Sequence, residues 1–240
     1  SIQVAIDAAG TGSRILVGDG VYDSGGRTYG TYLTTNRLVI DKDVVVESIN
    51  GAAHTFIIGA EAAGGGCGDS AVRCVYMSQG TLRGFTLTNG HTRTGYSAHD
   101  MQGGGVYSAV SLTPKVEDCI IIGNRAWGSG GGSGYCTLER CLVTGNEANQ
   151  YAGGTFGGTI NNCLITGNVG SYSGGTANSA LKNCTVTDNA ATNASFGCGG
   201  AYQGTAYNSI IYYNNGNTPN VSGNFAGFKY ICTTNSYLPA

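Results

Sequence analysis

The sequence predicts an all-β chain wound as a right-handed parallel β-helix, a solenoid of about 22 residues per coil behind a short N-terminal capping helix. Three observations predict it. One nine-residue unit returns at a nearly fixed interval, the apolar residues inside it alternate with period 2, and Gly-rich stretches separate the copies.

Four copies align without gaps: Val-Glu-Asp-Cys-Ile-Ile-Ile-Gly-Asn at 116–124, Leu-Glu-Arg-Cys-Leu-Val-Thr-Gly-Asn at 138–146, Ile-Asn-Asn-Cys-Leu-Ile-Thr-Gly-Asn at 160–168 and Leu-Lys-Asn-Cys-Thr-Val-Thr-Asp-Asn at 181–189. Weaker copies lie at 206–214 and at 82–90, the latter with its final pair inverted. Helical repeats need about 33 residues or more and a 3.6 period. Leucine-rich repeats need Leu at many more positions. At about 3.3 Å per residue, a coil of this length holds three short strands and three turns.

The alternation places the first residue of each unit inward, together with the Cys and the apolar residue two later. Cys119, Cys141, Cys163 and Cys184 then form an inward column, expected to hold reduced thiols because stacked, parallel side chains suit a disulfide poorly. The closing Asn124, Asn146, Asn168 and Asn189, continued by Asn214, are expected at a turn, where their amides bond from rung to rung and the residue tolerates a left-handed corner. Cys67 and Cys74, close in sequence and outside the column, are the candidate disulfide.

Composition limits the alternatives. Gly is 42 of 240 residues, Pro is 3, 41% of residues are hydrophobic and 11% are charged. The short apolar runs argue for a packed core rather than disorder. A net charge of −2 gives no electrostatic case for nucleic acid. No run of about 20 apolar residues could span a bilayer as a helix. The nine cysteines include no Cys-x-x-Cys, so neither a metal site nor a cofactor is expected.

Residues 1–12 read as the capping helix, with Ile2, Ala5, Ile6 and Ala9 on one face and Gly10 as its stop. Irregular N-terminal coils are expected over 13–80, regular repeats over 81–215 and a C-terminal tail over 216–240, all within one domain. The tail carries Phe225, Phe228, Tyr230 and Tyr237, and is expected either to pack on an uncharged outward strip of the repeats or to close the last coil. The opening helix, then Ile-Leu-Val-Gly-Asp-Gly-Val-Tyr at 15–22 and the segment 38–51, resemble the first coils of right-handed β-helices of the pectate-lyase-like superfamily. The later units resemble repeats of large secreted or surface bacterial proteins. That resemblance implies an extracellular or cell-surface setting. It implies no single activity, because the superfamily holds polysaccharide lyases, hydrolases, tailspikes and adhesins.

Two places stand out for function. Phe85 to Cys119 spans 34 residues, and the extra length carries His91, Arg93, Tyr96, His99 and Asp100. These are the candidate catalytic or sugar-binding residues, since His moves protons and Arg and Tyr hold sugar carboxylates and rings. His54 is assigned a structural place. The acids Glu117, Asp118, Glu139, Glu147 and Asp188 interleave with Lys115 and Arg140 and read as a solvated edge. The second place is an uncharged outward strip: Thr86, Thr88, Ile120, Ile122, Leu142, Thr144, Leu164, Thr166, Thr185, Thr187, Ile210 and Tyr212. An exposed strip of this kind suggests a contact surface. The leading expectation is a non-enzymatic secreted or surface module with a structural, adhesive or self-associating role, its partner another copy of itself or a surface polysaccharide. The alternative is a carbohydrate-active protein using the 91–102 loop. Ice binding through the Thr-x-Thr rungs of the strip is a minor one.

Overall fold

A computed structural model describes residues 1–95 and 97–234, and of 224–226 the backbone alone. Twenty-one strands form one wound parallel sheet, and four two-residue strands form a second. Each coil contributes to three long faces. One face stacks Arg14–Val17, Val45–Ser48, Thr81–Arg83, Lys115–Glu117, Thr137–Glu139 and Thr159–Asn161. The next stacks Gly20–Tyr22, Thr55–Ile58, Thr86–Thr88, Ile120–Ile122, Leu142–Thr144, Leu164–Thr166 and Thr185–Thr187. The third runs from Thr35–Ile40 through Val72–Met77, Val106–Tyr107, Ser133–Gly134 and Thr155–Phe156 into the start of Thr176–Lys182. The N-terminal coils take more residues per turn than the repeats, yet their strands stack in the same parallel sheet.

Burial explains the pattern. Val116, Leu138, Ile160 and Leu181 point inward, as do Ile121, Val143, Ile165 and Val186, and together they form one continuous core. The Asn ladder seals a corner of that core. Asn146 Nδ2 donates to Asn168 Oδ1 at 2.9 Å, Asn168 Nδ2 to Asn189 Oδ1 at 2.9 Å and Asn189 Nδ2 to Asn214 Oδ1 at 2.9 Å. Asn220 receives the last bond, from Asn214 at 3.2 Å. These Asn residues are not the left-handed ones, which corrects the expectation from sequence. Positive φ falls one position earlier, at Gly123, Gly145, Gly167 and Asp188, so the corner residue makes the turn and frees the Asn amide to point inward. A second left-handed column at Asp118, Arg140, Asn162 and Asn183 turns the chain between the first two faces.

All nine cysteines are free thiols. Cys67 and Cys74 are not bridged: the Cys74 thiol points into the core toward Thr88 O and Asn124 Oδ1, whereas the Cys67 thiol lies 3.7 Å from Arg125 O. Burial pushes the Cys74, Cys119, Cys136 and Cys198 thiols up to about 12 and Cys184 to about 11. They carry almost no thiolate at neutral pH and are inert. A disulfide-exchange reagent is expected to titrate at most Cys67 and Cys232 in the native protein, with the other seven reacting only after denaturation. Rapid labelling of more than two would contradict this packing.

The two ends differ. The helix Ile2–Ala8 buries Ile2 and Ile6, and Ser1 caps it. Its Gln3 side chain both accepts from Val39 N at 2.8 Å and donates to Val39 O at 3.1 Å, which occupies the edge of the first strand of the third face. At the other end Val221–Cys232 pairs in parallel with Ala201–Tyr212. The described part of the tail thus adds a coil rather than crossing the outward strip. Tyr237 lies outside the described residues.

Candidate functional site

The third face carries a row of rings. Its outward positions, in strand register, are Val39, Tyr76, Tyr107, Gly134, Phe156, Ala177 and Tyr202. Large residues alternate with small ones after Tyr107, and the small ones make room. A Cβ at Gly134 would meet the Tyr107 ring at 2.8 Å, and one at Gly157 would meet the Tyr135 ring at 2.6 Å. The rings therefore lie along the surface instead of standing away from it. Tyr135 packs edge-on against Tyr107 at 6.3 Å and against Phe156 at 5.5 Å. From the other flank Tyr151 stacks on Tyr172 at 4.9 Å and approaches Phe156 and Tyr202 at 6.2 and 6.0 Å. All of these except Tyr107 are half-buried, so each shows an edge or a face to solvent.

At the N-terminal end of the row lies an open cleft of about 510 Å³ lined by Thr31, Tyr32, Leu33, Ser97, His99 and Asp100. Tyr32 of its lining also packs, with Tyr29 and Tyr135, against a second apolar cluster of Val39, Tyr76 and Tyr107. His99 stacks on Tyr32 at 4.3 Å, and its Nδ1 is 2.7 Å from the Tyr107 hydroxyl. Burial holds the Tyr107 phenol well above the usual range, so it stays neutral.

The 91–102 loop does not gather its candidate residues. His91 is buried, with Nε2 3.8 Å from Glu61 and Nδ1 3.1 Å from Asn89 O. Arg93 reaches away to Asp69, at 2.6 Å from both its backbone O and Oδ1. Only His99 and Asp100 border the cleft, and Tyr96 lies outside the described residues. Asp100 is 3% exposed and is a clamp. Its Oδ1 accepts from Leu33 N at 2.7 Å and Thr34 N at 2.8 Å, and its Oδ2 accepts from Ser97 Oγ at 2.8 Å. Burial alone would raise its pKa, but these hydrogen bonds outweigh it and hold the carboxyl below its ordinary 3.8. A depressed carboxyl stabilises the fold above the ordinary value and loses that contribution as pH falls through the lowered one. The Leu33 and Thr34 amide resonances are accordingly expected to shift together with a midpoint below 3.8. A midpoint at or above that value would remove the clamp.

Behind the cleft the loop is held by Arg73, 1% exposed. Its guanidinium donates to Gly103 O, Asn36 Oδ1, His99 O and Gln102 O, each at 2.8 Å, and sits 4.8 Å from the Tyr107 ring centre. Burial brings its pKa down to about 10.

No family model matches this chain, and no curated protein matches it. A solved structure does: a pectin methylesterase mutant in complex with a hexasaccharide, 15% identical, with a TM-score of 0.52 over 90% of this chain and 76% of the other. The fold is a right-handed parallel β-helix, like that of this neighbour. At that identity the likeness concerns fold alone.

Within this β-helix the acids seen in the sequence are engaged. Glu47, Arg83 and Glu117 form a ladder, with Arg83 2.7 Å from Glu117 and 3.4 Å from Glu47. Arg140 pairs with Asp118 at 2.7 Å and Glu139 at 3.3 Å, and Arg125 with Glu147 at 3.2 Å. Asp188 accepts from Thr187 Oγ1 at 3.2 Å. Among the described residues no group of three potential ligands could hold a metal, and no helix is long and apolar enough to cross a membrane. The strip columns stand on the middle face in register, with Ile122, Leu164 and Ile210 exposed and Thr86 buried where its hydroxyl donates to Ala52 O at 2.7 Å. The aromatic row escaped the sequence reading although its signal was present. Four Gly-rich stretches carry a ring at or beside their end, at Tyr107, Tyr135, Phe156 and Tyr202, whereas Gly174-Gly175 leads to Ala177.

Proposed function

We propose that this protein is a non-catalytic glycan-binding β-helix module of extracellular or cell-surface type, holding a polysaccharide along its aromatic face. The observation that carries the reading is the continuous row from Tyr32 and His99 through Tyr135, Phe156 and Tyr151 to Tyr202. The negative faces of aromatic rings attract the polarised C–H groups of a pyranose, and half-buried rings lose little freedom on binding. Catalysis is a poorer fit. The Asp100 carboxylate is consumed by three donors, and the remaining loop candidates point to different neighbours. The carbohydrate-active neighbour supports the ligand class through the fold only.

The test is affinity electrophoresis and calorimetry against a polysaccharide panel, with product analysis in parallel. Binding without turnover is expected, weakened about tenfold (~1.4 kcal/mol) by Phe156→Ala. Release of shortened, unsaturated or de-esterified sugar would overturn it. A second reading, lateral self-association through the strip, rests on the exposed Ile122, Leu164 and Ile210. It predicts a dimer in sedimentation that Thr144→Lys abolishes.

A further inference from the structure

Building on the glycan-binding reading, we infer that the ligand is a neutral, extended, β-1,4-linked polysaccharide lying parallel to the solenoid axis. Two independent observations carry this.

The first is charge. A uronic acid chain needs a cation for each carboxylate it brings onto a surface, because a desolvated anion without a partner is costly. The cleft lining offers none: Thr31, Tyr32, Leu33, Ser97 and His99, beside an Asp100 already hydrogen-bonded. The nearest buried cation, Arg73, lies beneath Tyr107 and is committed to four oxygens. Arg93 turns away to Asp69. Along the row the outward positions are Gly134, Phe156, Ala177 and Tyr202, flanked by Tyr135, Tyr151 and Tyr172. What the face presents is ring, hydroxyl and imidazole, the complement of a neutral sugar with alternating C–H and O–H groups.

The second is period. From the buried Tyr107 onward, rings at the outward positions fall on every second rung, and the two that show to solvent are Phe156, beyond Gly134, and Tyr202, beyond Ala177. With rungs about 4.8 Å apart, the rings repeat at roughly 10 Å along a straight line. An extended β-1,4-linked pyranose chain turns over at each sugar, so its like faces recur every disaccharide, over a comparable distance. The flanking Tyr135 and Tyr172 come from the intervening rungs, those of Gly134 and Ala177, where the chain shows its other face. An α-linked chain curls and leaves a straight row after a few units.

Calorimetry with hexasaccharides tests this: neutral β-1,4-linked gluco- and manno-oligosaccharides, an oligogalacturonate and an α-1,4-linked malto-oligosaccharide. The expected result is that a neutral β-linked ligand binds at least tenfold tighter than the other two, with no dependence on salt. Phe156→Ala/Tyr202→Ala should lose at least a further tenfold while keeping its circular dichroism and melting temperature near those of the parent. Tighter or equal binding of the galacturonate or the α-linked sugar overturns the inference but leaves glycan binding standing. An unchanged affinity in the folded double variant overturns the placement on this row. No binding by any member, or by the polysaccharide panel, overturns both the inference and the reading beneath it.

Discussion

Asn168→Ala is expected to destabilise the protein by roughly 3–5 kcal/mol, lowering the melting temperature by about 10 °C for a chain of this size. The reason is the number of buried groups that one amide serves. Asn168 Nδ2 donates to Val143 O, Thr166 O and Asn189 Oδ1, while its Oδ1 accepts from both Asn146 N and Asn146 Nδ2. Truncation leaves those partners dry, and an unsatisfied buried polar group costs far more than a hydrogen bond contributes net. Asn168→Asp sharpens the test, because it keeps the shape and changes the proton. The carboxylate would face three acceptors, so the folded state binds the proton more tightly than the unfolded one. Stability of that variant is then greatest in acid and falls by about 1.4 kcal/mol per pH unit above the ordinary carboxylate range, until the folded group itself ionises. Because each rung touches mainly its neighbours, loss at the middle of the ladder should also split the denaturation curve into two transitions. Asn50→Ala is the control. That amide meets Asp19 at the surface, and its loss should cost less than about 0.5 kcal/mol. Equal effects at Asn168 and Asn50 would show that the ladder contributes nothing special.

The solenoid was legible because its repeat is dictated by burial. Val116, Cys119 and Ile121 must point inward in every rung, so the same residues recur and the period is visible without coordinates. The left-handed corner was misassigned by one position because Gly and Asn both favour it. Which of Gly123 and Asn124 turns the chain depends on the amide having a partner one rung away. The 91–102 loop was legible as an insertion and illegible as a site. Its residues interact with partners scattered through the chain: Asp100 with Leu33 and Thr34, Arg93 with Asp69, and His99 with Tyr32 and Tyr107. The aromatic row was hidden for a different reason. Its members take three kinds of position, strand, corner and loop, as Phe156, Tyr135 and Tyr151 show. No one spacing describes them, and only the coil brings them to one face.

Arg73→Met should have the largest effect on the site, a loss of roughly 3–5 kcal/mol with the damage concentrated in residues 97–103. Arg73 is a buried cation with no carboxylate in contact among the described residues; four oxygens, from Gly103, His99, Gln102 and Asn36, solvate it in place of water. Met matches much of its volume and removes the charge, but it abandons those oxygens. Three are backbone carbonyls of the segment that carries His99, so the segment must open to let water reach them. Arg73→Lys separates charge from geometry. Lysine retains the cation, yet its compact ammonium has no fork to reach all four acceptors and is more strongly hydrated. It should therefore recover only part of the loss, roughly half. Hydrogen exchange reads the result locally. Amides of 99–103 should lose protection in both variants, more in Met than in Lys, while Val143, Ile165 and Val186 in the core keep theirs. Glycan affinity should fall in the same order, since the His99–Tyr32 stack forms one end of the row. A Met variant with parental protection at 99–103 would mean that the Asp100 clamp alone holds the cleft. An Asp100→Ala variant would then have to show the loosening instead.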